Sequence, residues 1–205
     1  MEYKLGIIGY GGMGSWHHKN SVKVPGLRVT SAFDIDQQRL KIAAENGLKT
    51  YDNVDEFLKN GDFSIVLVAT PNNFHKYYSV MAMDAKKHVV CEKPVAMNLA
   101  ELDDMIAASK KNNVLFTVHQ NRRWDKDYKT VKKVLSDNLI GKPYTIESRV
   151  HGQNGVMHGW RAYQVAGGGM LFDWGVHLID QMLYMVNEKV TEVYCQLFSI
   201  KTPEV

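Results

Sequence analysis

The run Gly9-Tyr10-Gly11-Gly12-Met13-Gly14 constrains this chain more than any other feature. It sets G-x-G-x-x-G directly between an apolar strand pattern, Leu5 to Ile8, and a helical pattern, Gly12 to Asn20. In that context the first glycine makes the turn, the second lets backbone approach a pyrophosphate, and the third lets helix and strand pack closely. The helix N-terminus then faces the phosphates with unpaired N–H groups and the positive end of its dipole. Gly9, Gly11, Gly12, Met13 and Gly14 are therefore candidate dinucleotide-binding residues; the alternative is a tight glycine turn in some other α/β protein. The second strand pattern ends at Asp34, 20 positions after Gly14, where a carboxylate would accept hydrogen bonds from the adenosine ribose. Its charge would repel a 2′-phosphate, which favours NAD over NADP. Arg39 lies five positions further on and would pair with such a phosphate, so NADP stays open.

Up to Gln120, short apolar runs alternate with amphipathic stretches, the pattern of βαβ units building a parallel sheet. Strands are expected at Leu5–Ile8, Leu27–Phe33, Lys49–Tyr51, Ser64–Ala69, His88–Cys91 and Leu115–Val118. Helices are expected at Gly12–Asn20, Asp36–Asn46, Asn53–Lys59, Asn72–Ala85 and Asn98–Lys111. Gly47 is placed to stop the second helix. Residues 1–120 read as a complete doubly wound dinucleotide-binding domain and 121–205 as the opening of an α+β domain. That second part holds a basic helix near Asp125–Asp137, a strand pattern at Tyr144–Val150, a helix near Met170–Met185 and a strand pattern at Val190–Ile200. Of 205 residues, 45% are hydrophobic and 23% charged, the balance of a globular chain. The net charge of +3 comes without a long basic block, which speaks against a nucleic-acid or membrane partner. Cys91 and Cys195 have neither zinc-site spacing nor the density of a secreted disulfide scaffold. With no leader pattern at the N-terminus, a soluble cytoplasmic protein without a metal is expected.

Three further clusters carry chemistry. Ala69-Thr70-Pro71-Asn72-Asn73-Phe74-His75 follows the fourth strand, at the carboxyl edge where open α/β sheets bind ligands. Asn72 serves equally well as a helix N-cap. Cys91-Glu92-Lys93-Pro94 brings a lysine to the same edge. Gly167-Gly168-Gly169 leads to Asp173, His177 and Asp180, whose spacing would stack them on one helix face. A histidine with carboxylates at that spacing suits a general base, a metal ligand or a hydrogen-bonded structural histidine. After the sixth strand, His119 to Asp125 crosses into the second domain with Asn121 and Arg123. His151, His158, Trp160, Arg161 and Tyr163 precede the glycine triplet, while His17 and His18 sit in the first helix without metal spacing.

Taken together, the Gly9–Gly14 loop, Thr70-Pro71-Asn72 with His75, Glu92-Lys93-Pro94, and Gly167-Gly168-Gly169 with Asp173 and His177 resemble the Gfo/Idh/MocA family of oxidoreductases. The resemblance implies NAD(P)-dependent hydride transfer to or from a secondary alcohol of a sugar or polyol. It places Lys93, Asp173 and His177 on the family's catalytic residues. Thr70, Pro71, Asn72, His75 and Glu92 fall with the dinucleotide contacts; Asn121, Arg123 and Trp160 join the catalytic three as candidate substrate contacts. A cis Lys93-Pro94 peptide and self-association through the second-domain sheet are implied as well. Relatives run about a hundred residues longer, so the chain reads as truncated, with an unpaired edge expected at Val190–Ile200. Two other readings stay open: a dinucleotide-binding sensor, as in the family-like galactose-pathway repressor, and a fragment that binds NAD without turnover.

Overall fold

The computed structural model describes residues 2–152, 158–186 and 188–198. Two compact units, Met1–His119 and Gln120–Val205, divide the chain.

In the first unit, largely apolar runs form the strands. They are β1 (Tyr3–Ile8), β2 (Leu27–Phe33), β3 (Lys49–Tyr51), β4 (Ile65–Val68), β5 (His88–Cys91) and β6 (Phe116–Val118). All pair in parallel in the order β3-β2-β1-β4-β5-β6, so the topology reverses between β1 and β4. Burial is deepest in the central β1 and β4 and in the later part of β2. Helices α1 (Gly12–Ser21), α2 (Gln37–Glu45), α3 (Val54–Asn60), α4 (His75–Asp84) and α5 (Leu99–Asn112) cross between the strands. Two apolar clusters form the core, one holding Phe57, Val66, Val68, Met83 and Met105, the other Leu5, Ile7, Ala32 and Leu67. A fully buried Ile, Leu or Met in these layers contributes on the order of 1.5–3 kcal/mol.

Local chemistry sets the helix ends. Asp36, Asn53 and Asn98 cap α2, α3 and α5 by accepting from the N–H of Gln38, Glu56 and Glu101. Gly47, at φ +84°, follows α2 as expected of a left-handed stop. Asn72 is not the cap of a single helix over 72–85: residues Asn72–Phe74 form a 3₁₀ turn before α4, and Asn72 itself is buried.

The second unit holds α6 (Lys126–Ser136) and α7 (Val176–Met185), with 3₁₀ turns at Asn121–Trp124, Gly159–Ala162 and Gln164–Ala166. The helix expected over Met170–Met185 divides into a π-helical turn, Leu171–Gly175, and α7. The strands expected at 144–150 and 190–200 are corrected: among the described residues neither 144–150 nor 190–198 is in a strand, and 199–200 lie outside the described residues. A strand exists only as one side of a hydrogen-bonded ladder, and no described segment pairs with either. Tyr144, Val193, Tyr194, Leu197 and Phe198 are accordingly exposed. The sheet through which copies were expected to associate is not formed among the described residues.

Candidate active site

In the first unit the candidate residues and His119 follow the carboxyl ends of five adjacent strands, and backbone hydrogen bonds hold the strand ends together. Gly9 N–H donates to Phe33 O (2.8 Å), Ala69 N–H to Ile8 O (2.8 Å), Glu92 N–H to Val68 O (2.9 Å) and His119 N–H to Cys91 O (2.8 Å). The sheet register therefore brings the glycine loop, the Thr70–His75 segment, Glu92-Lys93 and His119 to one edge.

Two of the loop glycines are obligatory. Gly9 sits at φ +91°, where a Cβ would also lie 2.7 Å from Ala69 O, and a Cβ on Gly14 would lie 2.0 Å from Gly9 O. Gly12 faces open space, and a Cβ on Gly11 would meet the Arg39 guanidinium at 2.8 Å. Unlike α2, α3 and α5, α1 has neither a side-chain cap nor an acidic residue in its first turn. Its positive end and unpaired N–H groups suit the phosphates of a dinucleotide.

Asp34 is buried and braces this loop. One carboxylate oxygen accepts from Tyr10 N–H (2.7 Å) and the other from Asp36 N–H (2.9 Å), while Arg39 Nη1 stands 3.7 Å away. Each oxygen keeps a second lone pair, so a ribose hydroxyl fits the same group. Arg39 also reaches Asp36 at 3.5 Å and is half exposed.

Thr70, Pro71 and Lys93 are partly buried, and the Lys93-Pro94 peptide is cis. His75 is wholly buried, with Nδ1 2.7 Å from Pro94 O and Nε2 3.0 Å from Thr70 O. The ring thus ties together the loops after β4 and β5. Burial lowers its pKa, against the raising effect of the two carbonyls and of Glu92.

Glu92 is buried too, and its neighbours were not legible as a group. His17 Nε2 and His119 Nδ1 lie 2.7 and 3.0 Å from the same oxygen, Oε1, and Lys93 N–H donates to Oε2 at 3.1 Å. Burial alone would raise the carboxyl pKa, but the bonds to His119 and His17 reverse that and hold it well below the usual range. The three side chains form a grouping of metal-ligand type, their ligand atoms within 4.8 Å of one another. The two imidazole–carboxylate distances are those of hydrogen bonds.

In the second unit His177 is buried at the start of α7, its ring edge-on to Trp174 at 6.1 Å. Asp173 lies in the π-helical turn, a winding frequent at functional sites, and accepts from Arg161 Nε at 3.2 Å. The glycine triplet serves the chain itself: a Cβ on Gly168 would strike Arg161 O at 2.2 Å, and Gly169 N–H donates to that same carbonyl. Trp160, partly buried, stacks beneath the Arg161 guanidinium at 4.4 Å.

Arg123 forms a two-point pair with Asp180, Nε to Oδ2 at 2.8 Å, and lies over Tyr184. Asp180 thus serves Arg123 rather than standing as an extra carboxylate for His177, and Arg123 enters the substrate question already committed. Asn121 opens the turn that carries Arg122, whose guanidinium covers Trp174 at 4.2 Å. Among the described residues no helix is long and apolar enough to cross a membrane.

Residues 3–120 match the oxidoreductase family described as an NAD-binding Rossmann fold, and 128–205 match the GFO/IDH/MocA C-terminal domain. Myo-inositol 2-dehydrogenase of Thermotoga maritima is 31% identical over 193 residues, 93% of this chain and 57% of that protein. The scyllo-inositol 2-dehydrogenase (NADP(+)) IolW of Bacillus subtilis is 30% identical over 188 residues, 89% of this chain and 51% of that protein. The crystal structure of an NAD-binding protein from Listeria innocua superposes with a TM-score of 0.88 and 44% identity, over 91% of this chain and 56% of that one. The chain thus spans a little over half the length of the relatives it matches. It belongs to the Gfo/Idh/MocA oxidoreductase family, and its first unit is that family's NAD-binding Rossmann fold.

Proposed function

We propose that this chain serves as a nicotinamide-dependent dehydrogenase of a secondary alcohol on a polyol or sugar. The observation that carries the reading is the first unit's carboxyl edge, where an uncapped helix N-terminus under a glycine loop, the buried Asp34 and Lys93 follow strands β1, β2 and β5 of one sheet. The inositol dehydrogenases among the relatives support a polyol as the substrate class.

The glycine loop and the start of α1 would hold the pyrophosphate, and Asp34 the adenosine ribose. Bound there, the dinucleotide supplies the hydride acceptor. Oxidising an alcohol also requires that its hydroxyl proton leave. His177 is the proposed base, imidazole being the side chain type most often used as a general base. Lys93 is proposed to donate a hydrogen bond to the reacting oxygen and stabilise charge as it develops. Asp173, held by Arg161, is proposed to bind a neighbouring hydroxyl. Asp34 favours NAD, while Arg39 beside it supplies a cation for a 2′-phosphate, so both dinucleotides belong in the assay.

The test follows absorbance at 340 nm with NAD or NADP against myo-inositol, scyllo-inositol and a panel of sugars, beside a dinucleotide titration of the same sample. Turnover is expected for the unsubstituted chain. Lys93→Ala and His177→Ala are expected to abolish it with dinucleotide affinity nearly unchanged. Tight dinucleotide binding without turnover on any substrate would instead support a sensor or a binding fragment, and full activity in either variant would sink the catalytic assignment.

A further inference from the structure

Glu92 has more hydrogen-bond partners than a carboxylate following a strand end needs for solubility. It is 4% exposed, and burying an ionised carboxylate costs several kcal/mol unless donors replace the lost water. Here the replacement is lopsided. Both imidazoles, His17 from α1 and His119 from just past β6, address Oε1, at 2.7 and 3.0 Å. Two donors converging on one oxygen fix the turn of the carboxylate plane. They leave Oε2 to the Lys93 backbone N–H at 3.1 Å. The backbones of Glu92 and His119 are themselves set by the sheet, through Glu92 N–H to Val68 O and His119 N–H to Cys91 O.

We propose that His17 and His119 are positioning residues that act through Glu92 to fix the backbone, and so the direction, of Lys93. The inference rests on reading Lys93 as the group at the reacting oxygen and deepens it. An ionised carboxylate only accepts hydrogen bonds, so each imidazole presents an N–H to Oε1 at the bonding nitrogen. The arrangement requires that Glu92 stay ionised. The other titratable groups near that carboxylate are His75 from α4, Cys91 and the adjoining Lys93. Of these, His75 is committed to the Pro94 and Thr70 carbonyls, which leaves His17 and His119 as the side-chain donors to Glu92.

The experiment uses the full chain labelled with ¹⁵N-lysine, with the Lys93 amide assigned by its disappearance in Lys93→Arg. Its proton shift is followed from pH 6 down to pH 4. In the unsubstituted protein the amide is expected to keep its carboxylate-bonded shift throughout. In the His17→Leu, His119→Phe double variant, Glu92 loses both donors and burial raises its carboxyl pKa unopposed, so the amide should lose its carboxylate-bonded shift. The His17→Gln, His119→Asn double variant returns an amide N–H near Nε2 and Nδ1 respectively and is expected to restore that shift. Should the apolar pair fail to fold, His119→Ala, at a partly exposed position, is read in the same way.

Turnover gives the second arm. The apolar pair is expected to lose roughly tenfold or more in kcat, in line with the cost of misplacing a reacting group, with dinucleotide Kd unchanged; the Gln/Asn pair should recover most of it. A Lys93 amide that keeps its carboxylate-bonded shift in the apolar pair overturns this inference alone. So does a Gln/Asn pair that loses the shift like the apolar one, or a stoichiometric metal whose removal by EDTA shifts the Lys93 amide. A Lys93→Met variant with unchanged turnover overturns instead the parent reading of Lys93.

Discussion

Replacing His75 with leucine isolates one contribution to the first unit. The ring is fully buried, bridges Pro94 O and Thr70 O, and has a bulk close to that of leucine, so the cavity cost is small. Whatever its tautomer, the neutral ring supplies one N–H to these two carbonyls. Leucine supplies none, and orphaning one buried carbonyl costs about 2 kcal/mol within a range of about 1–3. For a unit of this size that corresponds to a fall of about 6–10 °C in the thermal midpoint. The effect should also depend on pH, in a fixed direction. Because burial lowers the pKa of His75, the unfolded chain takes up a proton below about pH 6.5 while the folded chain does not. His75 therefore contributes stability that is present above about pH 6.5 and lost as the pH falls toward its folded value. Calorimetric melts of both proteins from pH 8 to pH 5 should show the gap between them shrinking on acidification. A midpoint unchanged at pH 8, or a gap that widens toward pH 5, would refute the reasoning.

Three other outcomes follow from the same edge of the sheet. Gly14→Ala forces a Cβ to within 2.0 Å of Gly9 O, so α1 and the loop must part; NADH fluorescence titration is expected to show at least tenfold weaker binding, and affinity within twofold would contradict the packing argument. Asp34→Ser removes the charge that opposes a 2′-phosphate while leaving Arg39 beside the loop, so the NAD-to-NADP ratio of dissociation constants should shift toward NADP; an unchanged ratio would remove Asp34 from dinucleotide choice. Burial pushes the Cys91 thiol up to about 12, whereas Cys195 is exposed, so Ellman's reagent at pH 8 should find one fast thiol per folded chain and two in denaturant. Two fast thiols in the folded protein would contradict the buried placement.

The parallel sheet and its strand-end motifs were legible because each signal is local: an apolar run, a turn residue, then a helical period. The glycine loop lies within six consecutive residues, and Asp34 lies one βα unit away. The second unit shows where local signals stop. Tyr144–Val150 and Val190–Ile200 carry genuine β-type side chains, but a strand is a property of a pair, and the described part of the chain supplies no pairing partner for either. The spacing of four between Asp173 and His177 reads as one helix face only if the winding is α throughout. The π-helical turn over Leu171–Gly175 changes that winding without any residue that announces it. Asp180 likewise looked like a neighbour of His177 until Arg123, 57 positions away, took it.

The two buried carboxylates of the first unit make the same point in chemical terms. Both face the cost of ionisation away from water, and they meet it differently. Asp34 is served by the backbone N–H groups of Tyr10 and Asp36, on two of the chain segments that meet at the loop, whatever side chains those positions carry. A carboxylate at that strand end can therefore be inferred from motif spacing alone. Glu92 is served by imidazoles 75 and 27 positions away, which means its ionisation depends on side chains that no spacing rule connects to it. Sequence reading assigned Glu92 to the dinucleotide and left His17 and His119 without a task. Once the sheet brings the three together, the carboxylate faces inward to the two rings and onward to the Lys93 backbone. Under the proposed positioning role, the residue most exposed to a change at His17 or His119 is then Lys93, whose backbone N–H donates to Glu92 Oε2.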